Sequence, residues 1–518
     1  MNIDNNPPVV ADPMQLPDMP SRRAFFGGKS TAALAATAAV IAPVVSQAAV
    51  SESETDDLLH VISRLTMGVT PELQDEVSTI GIDAFIEQQL APSLLDDSAT
   101  DEMISLFPTV NMTSAELLVH KKRNIIRRDL NGATIVRAVK SKRQLQEVMV
   151  DFWSNHFNVD VIKKKTAMFK AEQDRGFREL ALGNFSDLLM YSAKSPAMLE
   201  YLDNRTSRAD RNRVPNENYA RELMELHTLG VDGGYNEDDV IAVSYLLSGW
   251  SIQYDQFAFN ASRNRLGPLA DGGDVMGWVP FSAEGSIENG ESFVNFLAYQ
   301  PATAQFICWK LCRHFISDDI AMTDSIVQQV AQVFMDNGTE IVPTLRAIFA
   351  SDAFYQSKGQ KVKRSNELLY SILRSANVTF DFDQIGRIGA VLHQKLTDMD
   401  HALFECEPPT GYPSAAAEYL NTNIMVNRWN FGFSCAANKL GLSIRVSSMS
   451  WVNNPDTIEA LLDQLAITLM GCKLDESNKQ ALYTHLGKGP ESAVARRDLK
   501  QIKTLAGLIF ASPAYQIR

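Results

Sequence analysis

The sequence predicts a mainly α-helical protein, with a multi-helical, bundle-like architecture, long irregular loops and at most a small β-hairpin. Three observations predict it. Apolar residues recur at helical spacing through most of the chain, as in Leu145, Met149, Phe152 and His156. Capping signals punctuate those stretches, for example Asn236 followed three residues later by Asp239. Alternating, strand-like runs are sparse; the clearest is Gln253 to Phe259.

Taken in order, residues 51–105 read as helices separated by Pro71 and Gly81. Residues 114–157 read as a long helical stretch, broken near Asn131-Gly132 into two helices. Residues 172–203 are helical, with Pro196 opening a short last helix. Asn216 to Leu229 reads as one helix stopped by Gly230, and Asn236 caps the next. Residues 251–290 are rich in Gly, Asp, Asn and Trp and read as a long irregular loop, a kind that in compact proteins is usually functional or mobile. Helix returns over 291–356. Residues 402–415, with Pro408-Pro409-Thr410-Gly411-Tyr412-Pro413, form a second irregular stretch, and the chain is helical again from Asp456. The segments Leu345 to Gln356 and Leu508 to Gln516 echo each other, each after a similar helix, and read as a duplicated helix-pair unit. The chain divides into 1–48, 49–290 and 291–518.

The first 48 residues read as an address. Arg22-Arg23 precede an apolar stretch from Ala32 to Val45, and Ser46-Gln47-Ala48 offers small residues for cleavage. This order is that of a twin-arginine export signal, so the expected location is periplasmic or secreted. The rest of the chain contains no run of eighteen apolar residues, so no integral membrane segment is expected in the mature chain.

Composition excludes several classes. In 518 residues, 45% are hydrophobic and 21% charged, which does not fit global disorder. Five cysteines do not make a disulfide scaffold, and Cys308 with Cys312 read as buried small hydrophobes. The formal net charge of −14 argues against nucleic acid as a partner. That charge is uneven. Residues 121–170 hold 13 basic and four acidic side chains, net +9, which leaves −23 for the rest. Such an island, if open, would draw an anionic polysaccharide, phosphate or sulfate.

The chemistry-bearing segments are Asp151 to Asp160 and Asn216 to Gly230. On a helix through the second, Glu217, Arg221, Glu222, Glu225, Asn218 and Thr228 share one arc, and His227 falls on the apolar side with Tyr219, Leu223 and Met224. His156 ends the apolar stripe of the first segment, with Asp151 and Asn155 beside it. Two helices bringing His156 and His227 together with Glu217, Glu222 or Glu225 would make a cleft suited to acid–base work, or to a divalent metal as cofactor. Arg221, Asn155 and Asn216 are the substrate-binding candidates. The sharp metal signatures, His-x3-His and His-Glu-x2-His, are absent.

Asp151 to Asp160, Arg178 to Leu189, Ser195 to Asn204, and Asn216 to Gly230 followed by Gly233-Gly234-Tyr235 together resemble the DUF1800 family. Arg64 to Val69, Pro301 to Ala304 and the Pro408-Pro409 loop extend the resemblance over nearly all of the mature chain. It implies a large, often exported bacterial protein of no established activity. The chain departs from the family pattern in one loop: relatives carry a His-Asp pair and a basic residue after the 250s, whereas Phe257 to Arg265 has no histidine.

Two functions follow as expectations. One is a hydrolase or lyase on an anionic polymer, working through the His/Glu cleft. The other is a non-catalytic binding or assembly partner of another exported protein or polymer. The first requires both histidines within reach of one shared pocket; a separation above about 12 Å, or burial in separate cores, would defeat it.

Overall fold

The computed structural model describes residues 54–120, 122–282, 284–494 and 498–518. The export signal expected over 1–48 lies outside them. Of the described residues, 61% are helical, in 20 helices of seven or more residues, with two small two-stranded antiparallel sheets. The fold class read from periodicity therefore holds, with one small sheet more than expected. No helix among the described residues is long and apolar enough to cross a membrane.

Seven helices position the central region: α1 (Arg123–Lys140), α2 (Gln144–His156), α3 (Thr166–Leu180), α4 (Asn218–Glu225), α5 (Ile287–Ala298), α6 (Pro301–Phe315) and α7 (Ser365–Ser375). One hydrophobic cluster runs from Val61 to Tyr515 and takes side chains from both sides of residue 290. Its polar ties are equally long-range. His60 Nε2 meets the Phe354 carbonyl at 2.8 Å, and Arg64 donates to the Ser357 carbonyl at 2.8 Å.

The expected break at Asn131-Gly132 is not used. Both residues lie buried inside α1, and the chain breaks at Ser141–Arg143 instead. The reason is tertiary: the Ser141 hydroxyl donates to Asp97 at 2.6 Å and accepts from Arg143 N at 3.0 Å, which holds the turn open. The helix over Asn216 to Leu229 is also shorter than expected. It ends at Glu225, and Thr228 leaves the polar arc to become fully buried, its hydroxyl donating to the Leu223 carbonyl at 2.7 Å.

The Asn236 cap forms as read: its side chain accepts from Asp238 N and Asp239 N, and the Asp239 carboxylate accepts from Asn236 N at 2.9 Å. The internal echo is a repeat of capping geometry. Ser351 accepts from Phe354 N, and Ser512 from Tyr515 N, each opening a short helix after a longer one.

The loop over 251–290 begins with a hairpin, β1 (Trp250–Gln253) and β2 (Gln256–Phe259), in antiparallel register with Trp250 opposite Phe259. The second sheet pairs β3 (Thr379–Phe380) with β4 (Ile444–Arg445).

Candidate functional site

His156 lies at the C-terminal end of α2, and His227 lies just past α4. Their ring centroids are 6.1 Å apart, and both side chains are buried. Apolar rings enclose them: Phe157 stands 4.5 Å from His156 and 5.2 Å from His227, with Phe185 and Phe306 further out. The apolar stripe that carries His156 is thus core, as its spacing suggests.

The hydrogen bonds fix the state of His156. Its Nε2 lies 3.1 Å from the His227 carbonyl oxygen, which can only accept, so Nε2 carries the proton. Burial, aided by Lys310, holds the imidazole well below its ordinary pKa, so it is neutral and Nδ1 accepts. The donor is Lys310 Nζ at 2.8 Å, from the middle of α6. Burial, then Arg313, pushes the Lys310 amine down to about 8. Burial and Lys310 push His227 down to about 3, and its Nε2 has no partner.

Of the carboxylates expected beside these rings, Glu217 is engaged with Arg221 instead. The charges acting on the two imidazoles are Lys310 and, for His156, the other histidine; none is a carboxylate. Glu217 pairs with Arg221 at 3.4 Å, and Arg221 forms a two-pronged bridge to Glu237 at 2.9 and 2.5 Å, on the solvated side of α4. Glu222 is half-buried, and burial followed by Glu225 raises its pKa. Glu222 touches His227 through main chain, its carbonyl accepting from His227 N at 3.0 Å. Asn216 is a local brace: its backbone N donates to Ser207 Oγ at 3.1 Å and its side chain accepts from Asn218 N at 2.9 Å.

Asn155 has a different task. Its Nδ2 donates to the Tyr412 carbonyl at 2.9 Å and its Oδ1 accepts from Tyr412 N at 2.8 Å, as a neighbouring strand would. Asn158 donates to the carbonyls of Cys406 and Pro408 at 2.9 and 2.8 Å. Gly411, at φ +74°, lets the loop approach so closely that a Cβ there would sit 2.4 Å from the Asn155 carbonyl oxygen. The amides around His156 therefore fasten the Pro408–Pro413 loop to the end of α2.

A metal does not fit the histidine pair. One ring nitrogen of His156 donates to a carbonyl, the other accepts from an ammonium, and a nearby cation is the wrong neighbour for a metal ion. No group of three or more His, Cys, Asp or Glu among the described residues could hold one.

The DUF1800 family model, described as a protein of unknown function, matches residues 60–517. The chain belongs to the DUF1800 family. No curated protein and no solved structure matches it. The family segments named from sequence coincide with the fastening points just described: the Asp151–Asp160 run, the loop with Pro408-Pro409 that it holds, and the Asn216–Gly230 run that supplies His227.

Six of the thirteen cations of the basic island are ion-paired in this DUF1800 fold. Arg127 pairs with Glu405 at 3.2 Å, Arg128 with Asp129 at 3.3 Å, Arg137 with Asp174 at 3.6 Å and Arg143 with Asp101 at 3.8 Å. Lys163 and Lys164 converge on Asp203. Lys170 is fully buried, donates to Gln173 at 2.9 Å and lies over Phe177 and Phe404.

Two features were not singled out from sequence. Lys310 had a visible signal, one of two cations, with Arg313, in the otherwise mostly apolar run Ile307 to Phe315. The second is a buried ionic cluster in which Glu367 accepts from Arg364 at 3.1 and 3.0 Å and pairs with Arg518 at 3.1 Å, while Arg364 also bridges to Asp151. It links residues hundreds of positions apart, which no local pattern marks.

Proposed function

We propose that this DUF1800 protein is an exported binding or assembly partner of another exported protein, and that the loop 251–290 is its recognition surface. The observation that carries the reading is a rigidly anchored loop that exposes large apolar side chains. Trp250 is fully buried and packs on α5 at Gly290, where a Cβ would come within 2.7 Å of the indole. Trp278 is buried and meets Phe293, one turn along α5, at 5.1 Å between rings. Asn264 ties the middle of the loop to the carbonyls of Tyr245, Leu246 and Ser248. From these anchors Tyr254 projects at the hairpin tip, 87% exposed, and Val279 and Phe281 are 57% and 65% exposed.

Exposed aromatic groups on a preorganised frame are what protein interfaces use as anchors, because little conformational freedom is lost on docking. The loop carries five acidic and two basic residues, which favours a partner with basic groups around an apolar recess. Export rests on the Arg22-Arg23 signal. Six of the island's thirteen cations are ion-paired, and the charges acting on the imidazoles include no carboxylate, so the binding reading is favoured over a hydrolase or lyase on an anionic polymer.

The test is photo-crosslinking in intact cells from a photoreactive residue at position 254, with the same residue at Leu94, 81% exposed, as control. A discrete envelope-protein adduct is expected from 254 and not from 94, and Phe281→Ser should weaken it. Identical patterns at the two positions, or no adduct from 254, would sink the proposal.

A further inference from the structure

A small cavity lies where α1, α2, α3 and α7 meet, under Leu403 and Phe404 of the second irregular loop; its volume is about 30 Å³. Four buried polar atoms belonging to its lining residues have no protein partner: Thr134 Oγ1 from α1, Ser154 Oγ from α2, Asp174 Oδ1 from α3 and Tyr370 OH from α7. Ser154, Asp174 and Tyr370 are each more than nine-tenths buried. Unpaired buried polar atoms are uncommon in folded proteins, and four around one cavity require a shared partner.

The charge balance identifies the partner's class. Asp174 Oδ2 takes Arg178 at 2.7 Å and Arg137 at 3.6 Å, leaving Oδ1 unused. Arg178 also holds Glu147 in a bidentate bridge at 3.0 Å, and Arg364 holds Asp151. Three carboxylates thus face three guanidinium groups, with buried Lys170 nearby. A cation would meet Arg178 in the wall, and an anion would meet the open Asp174 oxygen. The occupant must be neutral, must donate to Asp174 Oδ1, and must exchange hydrogen bonds with three hydroxyls. A cavity of this size takes about one or two water molecules.

The roof is built for closure. Phe404 adopts the left-handed conformation at φ +59°, unfavourable for an aromatic residue. It is held there by Val161 N donating to its carbonyl at 2.8 Å and by Lys170 over its ring at 5.2 Å.

We propose that this cavity is a specific internal hydration site, in which one or two long-lived waters join α1, α2 and α3 to α7. It is independent of the recognition loop. The test uses the full chain in two ways. A crystal structure at high resolution should show water within hydrogen-bond distance of Asp174 Oδ1 and at least two of the three hydroxyls. Oxygen-17 relaxation dispersion should show that Ser154→Ala, and more so Ser154→Ala with Thr134→Val, lose one or two long-lived waters relative to the parent. A dry cavity, an ion there that rubidium or bromide replaces, or an unchanged long-lived water count in the folded variants would overturn the proposal.

Discussion

The histidine core and the Glu367 cluster both bury charge, and they do so by opposite means. Around Glu367 the buried carboxylate is answered by two guanidinium groups. Burial alone would raise the Glu367 pKa, but Arg364 and Arg518 outweigh it and hold the carboxyl well below its ordinary range. Around His156 and His227 nothing answers Lys310 except a neutral ring nitrogen and the face of Phe306 at 5.5 Å. The first region is a balanced ionic knot that depends on all its members. The second is an apolar core that tolerates one half-buried amine by weakening its charge.

This contrast is broken most severely by Glu367→Gln. It leaves Arg364 and Arg518 buried with one shared acceptor removed, at an expected cost of about 3–5 kcal/mol in urea unfolding. Lys310→Met is the matching change on the other side. It orphans His156 Nδ1 but removes a desolvated amine, so the net change should stay within about 1.5 kcal/mol. Equal losses of stability in the two variants would show that the two regions bury charge in the same way.

A smaller effect sharpens the comparison through pH. The folded-state pKa of His227 is about 3, below the unfolded value of 6.5. The unfolded chain therefore binds the proton first as pH falls. The stabilisation is fully present above 6.5 and is lost as pH drops from there toward 3. Between pH 7 and 5 this one group should cost about 2 kcal/mol. His227→Leu should lose about that much less than the parent over the same interval. Parallel urea titrations of the two proteins at both pH values check it, and equal losses would show that His227 is protonated in the fold.

Local order was readable in the sequence and long-range charge pairing was not. The stripe through His156, the Asn236 cap, the hairpin after Trp250 and the two serine-capped echoes all follow from spacing within a dozen residues. Helix ends were less legible: α4 stops at Glu225 because Thr228 turns inward to cap it, and the α1–α2 break is set by Asp97, forty-four residues away. The polar arc of α4 holds from Glu217 to Glu225 but not to Thr228, and a face can be solvated or can line a cleft with the same periodicity. The island at 121–170 shows the same limit, since Glu405 and Asp203, which answer Arg127 and the paired lysines, lie far off in the chain.

The smallest expected effect lies on that solvated face. Arg221 was a substrate-binding candidate, and it spends its guanidinium on Glu237 and Glu217 instead. The bridge to Glu237 is bidentate, which makes it better formed than most surface pairs. Water and salt nevertheless screen both partners, and holding two long side chains together costs rotamer freedom. Arg221→Ala should therefore give no resolvable shift in the urea midpoint, and the double variant with Glu237→Gln should add nothing beyond the two single changes. Repeating the cycle at low and high salt makes the reading strict. A coupling that persists in high salt would mean that α4 is held from its outer face as firmly as Glu367 holds α7 from within, and the distinction between solvated and buried charge would fail at its mildest point.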